Sequence, residues 1–358
     1  MIVPAAELKH QLKKLSGVKS EVFWVGEHGI SAQDSDIWVV VESPLNGLDG
    51  PFSVSGKKLT QVVNRMGGKI EVSQTEKSLI LKSNKALVEL ETQKIKKQVL
   101  PELPDKFLEF PASEFKKALA AAVSTASPAK SAAFGGCVQL QTIDVDLEEV
   151  MPFGYRILGS DGNVLTLVRK TAPMGFEMRA LINLSAAATI RDLGGDVIKL
   201  GETNSHFLIL AEGIKVFASK PVQQYPNFSS LLTVPSIVSV KLNPQDWLSA
   251  LQTVEPLIDE TVDKGAVSLL FRENVVELAN VSTGSKAKDE APYEQVDPDP
   301  VFDPKEIGLK LKAEYLSGFL KKAENPSWLR ISEKADHPVR LESGDVTVIT
   351  RPLYKAVK

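Results

Sequence analysis

Phe52-Ser53-Val54-Ser55-Gly56-Lys57-Lys58-Leu59-Thr60-Gln61-Val62-Val63-Asn64-Arg65-Met66 opens as an alternating strand and turns into a short amphipathic helix. Alternation of period two marks a half-buried strand. The three-to-four spacing of Leu59, Val62, Val63 and Met66 marks one helix face. Strand-like runs follow at Lys69–Val72, Ser78–Leu81 and Ala86–Leu90. The same order returns twice. Leu181–Leu184 leads into a helix through Ile190 and Leu193, then Val197–Leu200, Phe207–Leu210 and Ile214–Phe217. Leu309-Lys310-Leu311 leads into Tyr315–Lys322, then Trp328–Ile331, Val339–Leu341 and Val346–Ile349. With Val54, Leu184 and Leu311 taken as equivalent, the blocks lie 130 and 127 residues apart. That is the period of a domain, not of a solenoid.

Each block follows a helix-and-strand segment of similar plan. Ala5–Leu15 places Leu8, Leu12 and Leu15 on one face, and strands Glu21–Val25 and Asp36–Val41 come after it. Ser113–Val123 groups Phe115, Ala118, Leu119 and Ala122, with Ser113 the expected N-cap. Asn243 is placed to cap Pro244–Val254, with Trp247, Leu248, Leu251 and Val254 facing inward. Six half-domains of one helix plus several strands give an α+β fold, helices against antiparallel sheets. Proline and lost periodicity coincide at Leu100–Lys106 and Leu232–Ser236, which sets domains at 1–106, 107–234 and 235–358.

The chain has 358 residues, 42 basic and 45 acidic, and a net charge of −3. A protein that holds nucleic acid by bulk positive charge has a different balance; one that surrounds it does not need that charge. No run approaches the roughly 18 apolar residues of a membrane helix, and the start lacks a signal-peptide pattern, so a cytoplasmic protein without membrane contact is expected. Cys137 is the single cysteine and the four histidines lack ligand spacing, so neither a disulfide framework nor a thiolate metal site is expected.

Little in the sequence points to catalysis. Gly56-Lys57 lacks the earlier glycine and the following Ser or Thr of a phosphate loop, and reads as a helix-start glycine. Asp144-Val145-Asp146-Leu147-Glu148-Glu149 lacks the glycine turn and terminal glutamate of a calcium loop, and reads as a solvated loop. Asp297, Asp299 and Asp303, set among prolines, read as a connector. Cys137 sits in an apolar strand pattern and reads as a buried thiol. No nucleophile, base and orienting group can be assembled, and no cofactor is implied.

Tyr155-Arg156-Ile157-Leu158, Gly159, the turn Ser160-Asp161-Gly162-Asn163 and the strand Val164–Val168 resemble a signature of the bacterial DNA polymerase III beta sliding clamp family. That family has Thr-Asp-Gly-His-Arg-Leu-Ala here. Four further stretches match in family order: Phe134–Val138, Gln224-Tyr225-Pro226-Asn227-Phe228, Lys312–Leu316, and Thr350-Arg351-Pro352-Leu353 against a terminal Met-Pro-Met-Arg-Leu. The collinear match covers about the last two-thirds of the chain; the first third rests on the internal repeat. Asn163, Val164 and Arg351 depart from the family, and Lys355–Lys358 extend past its end, as expected of a divergent member of phage or mobile-element type.

The resemblance implies a DNA-clamp fold of three tandem domains, each with two helices packed on antiparallel sheets. It implies a head-to-tail homodimer ring around double-stranded DNA. The protein would be a non-enzymatic processivity factor, tethering the replicative DNA polymerase and placed on DNA by a separate clamp loader. Helix cations Lys9, Lys13, Lys58, Arg65, Lys116, Lys117, Arg191, Lys321 and Lys322 are then expected to line the hole. Val88 and Leu90 are expected to meet Leu257 and Ile258 of the next copy. A partner-peptide pocket is expected from Phe134, Gly162, Asn163, Val164 and Leu165 on one side and Tyr315, Thr350, Arg351, Pro352 and Leu353 on the other. The competing expectation is a tandem-domain interaction scaffold that does not encircle DNA.

Overall fold

The computed structural model describes residues 1–84, 86–128, 135–143, 154–171, 177–221, 225–236, 238–261, 264–281, 284–295, 307–332 and 337–357. Phe134, the acidic run 144–149 and Asp297, Asp299 and Asp303 lie outside them. Seven helices are described: α1 (Ala5–Lys14), α2 (Gly56–Arg65), α3 (Ala112–Val123), α4 (Leu184–Arg191), the short α5 (Ser229–Leu232), α6 (Pro244–Val254) and α7 (Ala313–Leu320).

The chain forms two compact units. One comprises Met1–Val123, Cys137–Gly154 and Ala172–Val222; the other comprises Ser124–Gly136, Tyr155–Thr171 and Gln223–Lys358. A twelve-stranded antiparallel sheet runs through the first. Its eighth and ninth strands, Ile37–Val41 and Ile214–Ser219, pair with Val39 opposite Val216. Residues from the first and second sequence blocks thus share one sheet, which is why sequence repeats and compact units divide the chain differently. The second unit carries Val164–Thr171, Val346–Thr350, Val339–Ser343, Ser327–Ile331, Val238–Leu242 and Lys288–Gln295 as successive neighbours, and continues through Val275–Asn280 and Ala266–Phe271 to Ile307–Lys312 and Tyr354–Val357. Its core gathers around the fully buried Trp247, with Leu251, Leu269, Leu316 and Leu341.

A strand precedes each of the six longer helices, running directly into five of them and separated from α6 by Asn243 alone, as the six half-domain reading requires. The helices then pack in pairs, α1 with α2, α3 with α4 and α6 with α7. One backbone bond recurs. The first helical N–H donates to the carbonyl just before a strand of the same block: Ala5 to Gly68 (2.8 Å), Gly56 to Glu21 (3.0 Å), Ala112 to Asp196 (2.8 Å) and Ala313 to Gly265 (2.8 Å). That bond satisfies a helix-start donor which no residue of the helix itself can take. Pro244, which has no N–H, removes the need for it at α6.

Several details of the sequence reading change. The helices α2, α4 and α7 begin 128 and 129 residues apart, so Leu184 opens a helix and is not the counterpart of strand residues Val54 and Leu311. Leu193 falls beyond α4. Ser113 lies inside α3, which begins at Ala112 because Phe110 and Pro111 complete the preceding strand. A strand at Gly29–Gln33 intervenes between the two expected after α1. Asn243 caps α6 as expected, its Oδ1 accepting from the Gln245 N–H at 3.1 Å.

Candidate functional site

The turn between strands Gly154–Ser160 and Val164–Thr171 is held by its own side chains. Ser160 Oγ donates to the Val164 carbonyl (2.8 Å) and accepts from the Gly162 N–H (3.1 Å). Asp161 Oδ1 accepts from the N–H groups of Asn163 (2.8 Å) and Val164 (2.9 Å). Gly162 has φ +97°, a conformation that glycine adopts without steric cost.

Pairing then brings the C-terminal segment to this turn. Val164 lies opposite Thr350 and Leu165 opposite Ile349, so the chain leaving Thr350 passes beside Asn163. The Arg351 N–H donates to the Asn163 carbonyl at 3.4 Å, and the Leu353 N–H to the Lys310 carbonyl at 2.9 Å. From α7, Tyr315 reaches the same turn: its hydroxyl donates to Asp161 Oδ2 at 3.1 Å. Burial, reinforced by the Asp161 charge, pushes the Tyr315 hydroxyl up to about 12. The Lys312 ammonium lies 5.6 Å from the Tyr315 ring centroid, within cation–π range.

Nine of the ten expected pocket residues therefore converge in the second unit, and Phe134 lies outside the described residues. They divide into two sets. Gly162, Asn163, Arg351 and Leu353 are exposed and Tyr315 is half-buried; Val164, Leu165, Thr350 and Pro352 are buried beneath them. The accessible surface joins an exposed leucine and an aromatic face to the cations Arg351 and Lys312. Such a surface suits recognition of an apolar, partly anionic segment. Asp161, which ties turn to helix, and Lys312, three residues before Tyr315, were not in the expected set. Asp before Gly in a turn and a basic residue at a helix start are the signals that would have found them. Nearby, Tyr225 is buried, and its hydroxyl donates to the Leu158 carbonyl at 3.2 Å.

The helix cations are mostly solvent-facing. Lys13, Lys58, Arg65, Lys117 and Arg191 are exposed and Lys9 is half-buried. Lys116 is engaged differently: its ammonium donates to the Leu193 carbonyl, just past α4. Lys321 and Lys322 are exposed in the turn that ends α7. Of the apolar residues expected at a contact between copies, Leu90 is buried and Val88 half-buried within the first unit. Leu257 is 38% exposed, and Ile258 packs on the core of the second unit. Leu87, beside Val88 but on the opposite strand face, is 70% exposed.

A cavity of about 240 Å³ lies elsewhere, in the first unit, between the Gly26–Gly29 turn, Leu45–Pro51 and the segment Ile95–Leu100. Its charged rim is an ion pair of Glu27 with Lys97 (2.9 Å), and His28 lies 3.1 Å from Glu27. Glu27 and Lys97 offset each other's charge there. Among the described residues, no group of three or more His, Cys, Asp and Glu is placed to hold a metal ion. Cys137 is buried, and burial pushes its thiol up to about 11.

No family model matches the sequence, and no curated protein matches it. Solved structures do. The DNA polymerase III beta subunit of Thermotoga maritima superposes with a TM-score of 0.82 at 15% identity, covering 98% of each chain. The Bacillus subtilis DNA polymerase sliding clamp gives 0.84 at 15% identity, again over 98% of each chain. The Helicobacter pylori beta clamp, solved with a DNA ligase peptide bound, gives 0.81 at 15% identity over 99% of each. The chain has the sliding-clamp fold from end to end.

Proposed function

We propose that the protein is a DNA sliding clamp, a divergent member of the DNA polymerase III beta family. It would act as a non-enzymatic processivity factor in DNA replication. The observation that carries this reading is that the likeness spans nearly the whole of both chains, so all three helix pairs are accounted for within one clamp subunit. In this reading the chain has domains 1–106, 107–234 and 235–358 and closes head to tail with a second copy around double-stranded DNA. A heterologous contact repeated twice closes a ring, and a ring retains its partner by topology. The net charge of −3 agrees with that, since a ring needs little phosphate affinity. The exposed cations on α1, α2, α3 and α4, with Lys321 and Lys322, would face the duplex.

The cluster of Tyr315, Leu353, Arg351 and the 160–163 turn would take peptide segments of the polymerase and of the loader. That the Helicobacter pylori clamp was solved with a DNA ligase peptide supports a peptide-binding role for a molecule of this fold. Negative-stain microscopy of the purified protein and its retention on circular DNA after loading test the proposal together. Particles with a duplex-sized hole, held on closed circles and lost when the circle is cut, are expected. Compact monomers with no retention would leave the interaction-scaffold reading.

A further inference from the structure

The cavity in the first unit is bounded by three pieces of chain that the proposed function does not use. Its floor is a sheet face, where Ser31 lies opposite Val40. One wall is the Leu45–Pro51 loop, and the roof is the segment Ile95–Leu100. Four contacts hold that roof. The Ile95 N–H donates to the Pro51 carbonyl (3.3 Å), and Lys97 Nζ lies 2.9 Å from the Glu27 carboxylate. Ser31 Oγ donates to Gln98 Oε1 at 3.0 Å, and Leu100 packs against Val40, Leu208 and Phe217. Val99, among them, is 85% exposed. A stretch without helix or strand pairing, tied by so few groups, opens at low free-energy cost.

The lining combines an apolar wall with one fixed polar group. Val40, Leu45, Leu48, Ile95 and Leu100 supply the wall. Ser31 is only 4% exposed, and its hydroxyl holds the Gln98 carboxamide in place. A carboxamide offers two acceptor lone pairs and two N–H donors. Ser31 uses one lone pair; among the described residues the other, and both Nε2 hydrogens, have no partner. That edge pairs bidentately with a flat ring carrying a donor beside an acceptor, the complementarity by which Gln and Asn read adenine.

Size and charge narrow the ligand further. An apolar cavity of about 150 Å³ holds benzene, so one of about 240 Å³ suits a bicyclic ring of about ten heavy atoms and leaves no room for a sugar or phosphate. A charged ligand would have to part the Glu27–Lys97 pair at the rim, which favours a neutral one. We propose that this cavity binds a small neutral bicyclic lactam, a class that includes the oxopurine bases. The Gln98 carboxamide takes the N–H and C=O of the lactam edge, and the Ile95–Leu100 segment closes over the ring. Every residue involved belongs to the first unit, so the inference stands apart from the ring reading above.

Calorimetric titration of the full chain with quinazolinone, and with quinoline as a ring system of similar size that lacks the lactam, tests this. Saturable binding of one quinazolinone per chain is expected. It should be about two- to tenfold tighter than quinoline, which can make only one of the two bonds. Gln98→Leu should abolish that preference and weaken quinazolinone by about fivefold or more, since both bonds are lost. Thermal melts verify that each variant is folded; if Gln98→Leu is not, Gln98→Met, closer in length, takes its place. Lys97→Ala loosens the roof without touching the edge, so it should weaken both compounds by a similar factor. A parent that shows no saturable quinazolinone binding, or binds quinoline as tightly, overturns the proposal. So does a folded Gln98 variant that keeps the parent's affinity, because the ring then docks elsewhere. A Lys97→Ala protein that binds both compounds like the parent overturns closure by the roof.

Discussion

Tyr315 is the residue through which the candidate peptide site is best probed. Its hydroxyl is held at Asp161 and its ring lies under Lys312, so one side chain fixes both the turn and the start of α7. Burial first and Asp161 second raise its ionisation from an ordinary value of 10 to about 12. The neutral form is thus favoured by folding. The stability this contributes is fully present below pH 10 and is lost as pH rises toward 12. Absorbance titration of the parent against Tyr315→Phe should show the missing component near pH 12; a missing component near pH 10 contradicts the packing. Binding is a separate matter. One or two anchors carry most of the affinity of a short peptide. Replacing Tyr315 and Leu353 together by Ala should therefore reduce affinity for the C-terminal peptide of the host polymerase by at least tenfold in a titration. If the folded variant binds like the parent, the peptide docks elsewhere. An acidic residue in the peptide should strengthen binding to the parent and lose that advantage in Arg351→Ala.

At the scale of the element, two glycines within helices have opposite prospects. A Cβ on Gly56, the first residue of α2, would lie 2.7 Å from the Phe23 ring, while one on Gly318 in α7 would meet nothing within 4 Å. Gly318→Ala should stabilise by about 0.5–1 kcal/mol through helix propensity and a less flexible unfolded chain. Gly56→Ala should destabilise by about 1–2 kcal/mol, because overpacking outweighs the same gain. Urea unfolding of both variants checks the pair, and similar shifts in both would refute the close packing of α2 on Phe23. The element scale also shows what sequence could reveal. Helix faces such as Leu8, Leu12 and Leu15 declare themselves by spacing, and Asn243 by its place before Pro244. The α3 start did not, since Ser113 is a good cap by type and only the strand bond of Phe110 opposite Ile198 fixes the helix one residue earlier. Of the site, the Asp161-Gly162 turn was legible as local chemistry. The Tyr315–Asp161 bond, between residues 154 positions apart, follows from strand pairing that no local pattern specifies.

For the whole molecule, the question raised by the clamp reading is how a chain with more acidic than basic residues would hold DNA. The cations are distributed over helices whose inner faces are apolar, and Lys13, Lys58, Arg65, Lys117 and Arg191 leave those helices into solvent. Lys116 differs, with its ammonium on the Leu193 carbonyl, and is a poor candidate for phosphate contact. If the five exposed residues face the duplex, each contact removed by Ala should flatten the slope of log affinity against log salt by about 0.9 unit. Loading onto nicked circular DNA should fall accordingly. Retention should not. Once closed on a circle, the fivefold Ala variant should resist high salt as the parent does, because topology and not counterion release holds it there. Linearising the circle should release both at similar rates. A variant that loads like the parent at every salt concentration removes these helices from the DNA-facing surface. A variant that loads normally but leaves closed circles in high salt, while the parent stays, shows that charge rather than enclosure does the holding. Lys116→Ala, made alone, should leave the salt slope unchanged and lower the melting temperature through its lost bond to Leu193.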